Sequence, residues 1–131
     1  MMAQDTYCEG ISVTPVTPEP QVDVYNIDLV DVNGNVVEPI QCGGTPVYIR
    51  VYFSWSNTTK IKLTLTCGPS TGDEYEIGTL YIDLPDSSGD GYVDIAGDEQ
   101  GNPMDPSVLI TWCCGSCDCN EFTMCAKAET V

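Results

Sequence analysis

Residues 46–67 read PVYIRVYFSWSNTTKIKLTLTC. Val47, Ile49, Val51, Phe53 and Trp55 alternate with Tyr48, Arg50, Tyr52 and Ser54. After Ser56-Asn57-Thr58-Thr59 the alternation restarts, with Ile61, Leu63, Leu65 and Cys67 against Lys60, Lys62, Thr64 and Thr66. A period of two places each set on one face of an extended strand. The stretch therefore predicts a β-hairpin with its turn at residues 56–59. Its apolar face needs a second sheet to cover it. The expected fold is all-β: a single antiparallel β-sandwich, immunoglobulin-like or jelly-roll-like.

Working outward, residues 22–32 predict a strand with Tyr25, Ile27 and Leu29 on one face. The face then slips to Val30 and Val32, which suggests a bulge. Asn33-Gly34-Asn35 supplies a turn, and residues 36–40 would return as a short edge strand limited by Pro39. Residues 75–84 predict a strand with Leu80, Ile82 and Leu84 inward. Residues 86–106 read as a long irregular stretch, strand-like only at 92–95. Residues 107–114 predict a strand with Val108, Ile110 and Trp112 inward. Residues 120–127 would form the last, with Phe122, Met124 and Ala126 on one face. No segment shows a 3.6-residue period, and roughly seven to nine short strands at sandwich-like spacing are expected. Residues 1–21 are polar and punctuated by Pro15, Pro18 and Pro20. They read as an extended N-terminal arm of polyproline character. Residues 22–131 form the β-sandwich domain, ending in a Cys-rich C-terminal turn.

A chain of 131 residues with 4 basic and 20 acidic side chains carries a net charge of −16. Such a surface repels nucleic acid and anionic membranes, so neither is expected as a partner. Histidine is absent, which excludes imidazole acid–base catalysis and His-containing zinc sites. No apolar run is long enough to span a bilayer. The start, MMAQDT, lacks the basic and apolar regions of a signal peptide. Synthesis in the cytoplasm is the expectation.

Five of the eight cysteines fall in CCGSCDCNEFTMC, residues 113–125. Cys114 and Cys117 have zinc-knuckle spacing, and Cys119 and Cys125 would complete a four-thiolate zinc site. Disulfides are the competing expectation, with Cys42–Cys67 as one natural bridge. Cys113 and Cys114 would point to opposite faces of an extended strand.

Asp86-Ser87-Ser88-Gly89-Asp90-Gly91-Tyr92-Val93-Asp94 resembles the start of an EF-hand or dockerin-type calcium loop. The resemblance implies calcium ligands at Asp86, Ser88 and Asp90, the Tyr92 carbonyl, and Asp94. It breaks at the position of the bidentate acid, where Gly97 stands, leaving Asp98 or Glu99 to substitute. The plain alternative is an acidic solvated turn. Asn57-Thr58-Thr59 is an N-glycosylation sequon at a predicted hairpin tip, where it serves equally as a turn.

Tyr48, Arg50 and Tyr52 share the polar face of the central stretch and are the candidate interface. No nucleophile elbow or phosphate loop is present, and no enzyme or organic cofactor is expected. The expected function is a structural protein of a large assembly, such as a virus or phage capsid decoration (cement) or other minor virion protein. Its partners would be copies of itself and a larger protein shell. The alternative is an extracellular disulfide- and calcium-stabilised adhesion module, with carbohydrate as one ligand. A zinc-stabilised interaction domain is the third.

Overall fold

The computed structural model describes residues 6–12, 20–69, 75–119 and 121–131. The described part is mostly β. Its elements are β1 (Gln21–Val30), β2 (Tyr48–Ser56), β3 (Lys60–Pro69), β4 (Tyr75–Asp83), β5 (Gly89–Ile95), α1 (Pro106–Cys114) and β6 (Phe122–Thr130). They form two antiparallel three-stranded sheets, ordered β1-β2-β5 and β4-β3-β6.

The central stretch is not a hairpin. β2 pairs with β1 and β5, and β3 pairs with β4 and β6. The turn carries the chain from the middle of one sheet to the middle of the other. The buried faces of the two strands then meet. Val47, Ile49 and Val51 join Leu63, Leu65 and Cys67 in one core, with Met104, Leu109 and Cys113. Phe53, Trp55 and Ile61 form a second cluster at the turn end. A middle strand has neighbours on both sides, so its inner face is sealed completely. That is why the inward residues of β2 and β3 are fully buried, whereas those of β5 and β6 are only half-buried. The crossing is held locally. Asn57 takes a positive φ of 56°. The backbone amide of Thr58 donates to Ser87 at 2.9 Å, and that of Leu84 donates to Thr59 at 2.8 Å. The Thr58 hydroxyl donates to the Lys60 carbonyl.

Residues 107–114 correct the expectation of a strand. They belong to helix α1, whose start is capped by Asp105 accepting from the Ser107 amide at 2.9 Å. Pro106 stands in the first turn, and Gly115 ends the helix with a positive φ of 88°. Pro106, Leu109, Ile110 and Cys113 are buried, which is a helical stripe. Val108 and Trp112 are exposed rather than inward. The caps were present in the sequence as Asp105-Pro106 and Gly115. The β-branched and aromatic residues Val108, Ile110, Thr111 and Trp112 obscured them.

Smaller differences follow the same logic. The bulge in β1 lies at Tyr25, between Val24 and Asn26, rather than near Val30. It turns Tyr25 to the outside, off the face it was expected to share with Ile27 and Leu29. Residues 36–40 make only a single bridge, Val30 to Val36, rather than a strand. Most of the expected N-terminal arm lies outside the described residues. Residues 6–12 are exposed and belong to no strand or helix.

Candidate functional site

The outer face of the β1-β2-β5 sheet brings together Tyr25, Tyr52 and Tyr92 with Asp28, Asp90 and Asp94. Cross-strand register sets Asp28 beside Arg50 and Asn26 beside Tyr52 on β1 and β2. On the other flank it sets Asp94 beside Arg50, Tyr92 beside Tyr52, and Asp90 beside Ser54. The Tyr25 and Tyr52 rings lie 6.2 Å apart, and the Tyr52 and Tyr92 rings 5.6 Å apart, all tilted. Tyr25 and Tyr92 are more than half exposed.

Arg50 is fixed at the centre. Its Nε donates to one oxygen of Asp94 at 2.7 Å and its Nη2 to the other at 3.0 Å. Its guanidinium lies over the Tyr92 ring at 4.1 Å. This fork of hydrogen bonds holds the guanidinium pKa above its ordinary value. The Tyr25 hydroxyl donates to Asp90. That bond favours the protonated phenol and raises the Tyr25 pKa.

Two like turns frame this face. Residues 31–35, DVNGN, and 98–102, DEQGN, share an Asp-x-x-Gly-Asn pattern. Asp31 accepts from the amides of Asn33 and Asn35. Asp98 accepts from the amides of Gln100 and Asn102. The glycines take φ of 84° and 85°, the region glycine enters without steric cost. Tyr48 donates from its hydroxyl to the Gly101 carbonyl at 2.8 Å, tying the face to the second turn.

The expected interface residues Tyr48, Arg50 and Tyr52 thus share one face, and the structure adds Tyr25, Tyr92, Asp90 and Asp94. Period-two reading of Gly89–Ile95 would have found the β5 members. The resemblance of residues 86–94 to a calcium loop masks that alternation.

The calcium arrangement is not formed. Gly89–Ile95 is strand β5, so Asp90, Tyr92 and Asp94 are strung along an extended backbone instead of converging. Asp94 is committed to Arg50. The Asp86 carbonyl accepts from the Trp55 indole, the Ser88 hydroxyl from the Asn57 amide, and Asp98 closes its own turn. Among the described residues no group of three or more Cys, Asp or Glu side chains is placed to hold a metal.

The cysteines form disulfides, Cys42–Cys117, Cys67–Cys113 and Cys114–Cys119. Of the thiols expected to share one zinc, Cys114 and Cys119 are joined to each other and Cys117 is joined to Cys42, while Cys125 lies on the exposed face of β6. The suggested Cys42–Cys67 bridge is replaced by two bridges to the helix end. The helix explains this. In α1, Cys113 turns to the core, where Cys67 waits at the end of β3, while Cys114 is half-buried and Cys117, two residues past the Gly115 cap, is exposed.

Comparison with protein-family models, curated proteins and solved structures finds no match for this chain.

Proposed function

We propose that this protein is a non-catalytic docking component of a large assembly, of the kind exemplified by a decoration or other minor protein of a virus particle. The two sheets, turned face to face over one core, read as a small β-sandwich. Its six described strands are fewer than the immunoglobulin or jelly-roll pattern needs. The observation that carries the reading is the Tyr25–Tyr52–Tyr92 cluster around Arg50. Tyrosine and arginine are the residues that dominate protein interfaces, because they offer large contact area at little entropic cost. Here the arginine is already held by Asp94, so little ordering remains to be done on docking. The surrounding carboxylates Asp23, Asp28, Asp90 and Asp94 select a partner surface of basic character.

Sedimentation of extracts from the producing source tests this reading. The chain is expected in a high-mass particle fraction, and Tyr25→Ala/Tyr92→Ala is expected to shift it to the low-mass fraction. Wild-type chain found only at low mass overturns the proposal.

The disulfides favour a second reading, an extracellular binding module with carbohydrate as ligand. Bridges of this kind persist in oxidising surroundings. Among the described residues no helix is long and apolar enough to cross a membrane. The tilted tyrosine rings would stack on sugar faces one at a time. Glycan-array binding that Tyr92→Ala abolishes would favour this reading over the first.

A further inference from the structure

A groove of about 330 Å³ opens on the opposite flank of β1, where that strand meets β6. Its walls are Ile27 and Leu29 of β1, Val37 and Ile40 of the following strap, and Phe122 and Met124 of β6. All six are half-buried. The inner faces of the two sheets are therefore not closed along this seam. Asp28, Glu38 and Glu121 stand around it, and no basic side chain lines it. Among the described residues β6 is an outermost strand, paired through β3 and no other strand. Beside Phe122 and Met124 an apolar groove thus runs along a sheet edge that no described strand pairs with, which is the geometry used to capture an extended chain as an added strand.

We propose that this groove takes an extended segment of a second protein, with alternating apolar and basic side chains, laid along the edge of β6. The apolar side chains enter the seam and the basic ones meet Glu38 and Glu121. Charge decides against a second copy as donor. Residues 1–21 carry Asp5, Glu9 and Glu19 and no basic residue, so a neighbour's N-terminal segment would meet like charge.

The probe is a fluorescent heptapeptide of alternating lysine and leucine, titrated into the oxidised full-length protein by anisotropy. A glutamate–leucine peptide of the same length is the control. The lysine peptide is expected to bind, to weaken as salt is raised, and to bind roughly tenfold less well to Glu38→Lys/Glu121→Lys. Both substitutions are on exposed side chains, and circular dichroism verifies the fold. Met124→Glu is a second variant, expected to abolish binding from within the groove. Backbone amide signals of residues 122–124 should shift on titration. No binding, equal binding of both peptides, or binding unchanged in both variants would overturn the proposal. So would concentration-dependent self-association that Met124→Glu abolishes, since it would make a second copy the occupant.

Discussion

Arg50 and Asp94 face each other across β2 and β5 and share two hydrogen bonds, of 2.7 and 3.0 Å, while the guanidinium covers the Tyr92 ring. Neither side chain is fully exposed, at 16% and 34%. The pair therefore works at the centre of the tyrosine face as an ordering device. An Arg50→Ala, Asp94→Ala double-mutant cycle should give a coupling of about 1 kcal/mol in urea unfolding. Arg50→Lys should recover little of it, because an ammonium cannot make the fork. Coupling near zero would show that the pair does not order the face.

The three disulfides should differ in worth and in lability. Cys67 and Cys113 are wholly buried, and their bridge closes a separation of 46 residues. Chain entropy alone makes it worth about 4 kcal/mol, against about 2 kcal/mol for the short Cys114–Cys119 loop. Cys67→Ala/Cys113→Ala should thus be the more damaging pair by urea denaturation. Mild reductant followed by alkylation and mass spectrometry should label Cys114, Cys117 and Cys119 before Cys67 and Cys113. Early labelling of the core pair would contradict the burial argument.

Gly89 lies opposite Trp55, and an added Cβ would come within 2.8 Å of the indole. Gly91, two residues on, would bring its Cβ only to 3.8 Å of the same ring. Gly89→Ala should cost about 1–3 kcal/mol by overpacking. Gly91→Ala should cost clearly less. Thermal melts followed by near-ultraviolet dichroism of the tryptophans measure both, and equal costs would mean that Trp55 swings aside freely.

The two framing turns set an acid limit. Hydrogen bonds from Asn102 hold the Asp98 carboxyl below its ordinary 3.8, and those from Asn35 do the same for Asp31. A pKa depressed on folding contributes stability that is present above the unfolded value and lost as pH falls through the folded one. Stability should therefore drop below about pH 4, and Asp31→Asn/Asp98→Asn should flatten that drop. Urea midpoints across the acid range would record it, and an unchanged slope in the double variant would refute it.

Tyr25 offers a second titration, at the alkaline end. Its bond to Asp90 raises the phenol pKa. The stability this contributes is present below the ordinary tyrosine value and is lost as pH rises through the raised one. Asp90→Asn should bring Tyr25 ionisation to lower pH in a phenolate absorbance titration. No change would place Asp90 elsewhere in solution.

Strand faces were legible in residues 46–67 because a period of two depends only on which side chains avoid water. The same alternation predicts the all-β class, the burial of Ile49 and Leu63, and the outward set Tyr48, Arg50 and Tyr52. It is silent on partners. A strand shows the same alternation whether it folds back on its neighbour or crosses to face it, so the pattern at Asn57 predicts a hairpin where the structure has a passage between sheets. The helix at Pro106–Cys114 was hidden for a related reason. Its caps are plain, but its β-branched and aromatic residues suit a strand, and only packing of Leu109 and Cys113 against β3 and its core settles the choice. The cysteines followed from that choice. Eight thiols in sequence admit many pairings, and the tertiary fold selects among them by bringing Cys67 to Cys113 at a Cα separation of 5.2 Å. The assembly of the tyrosine face lay beyond sequence for the same reason, since Tyr25, Tyr52 and Tyr92 come from three strands whose neighbours are determined by non-local pairing.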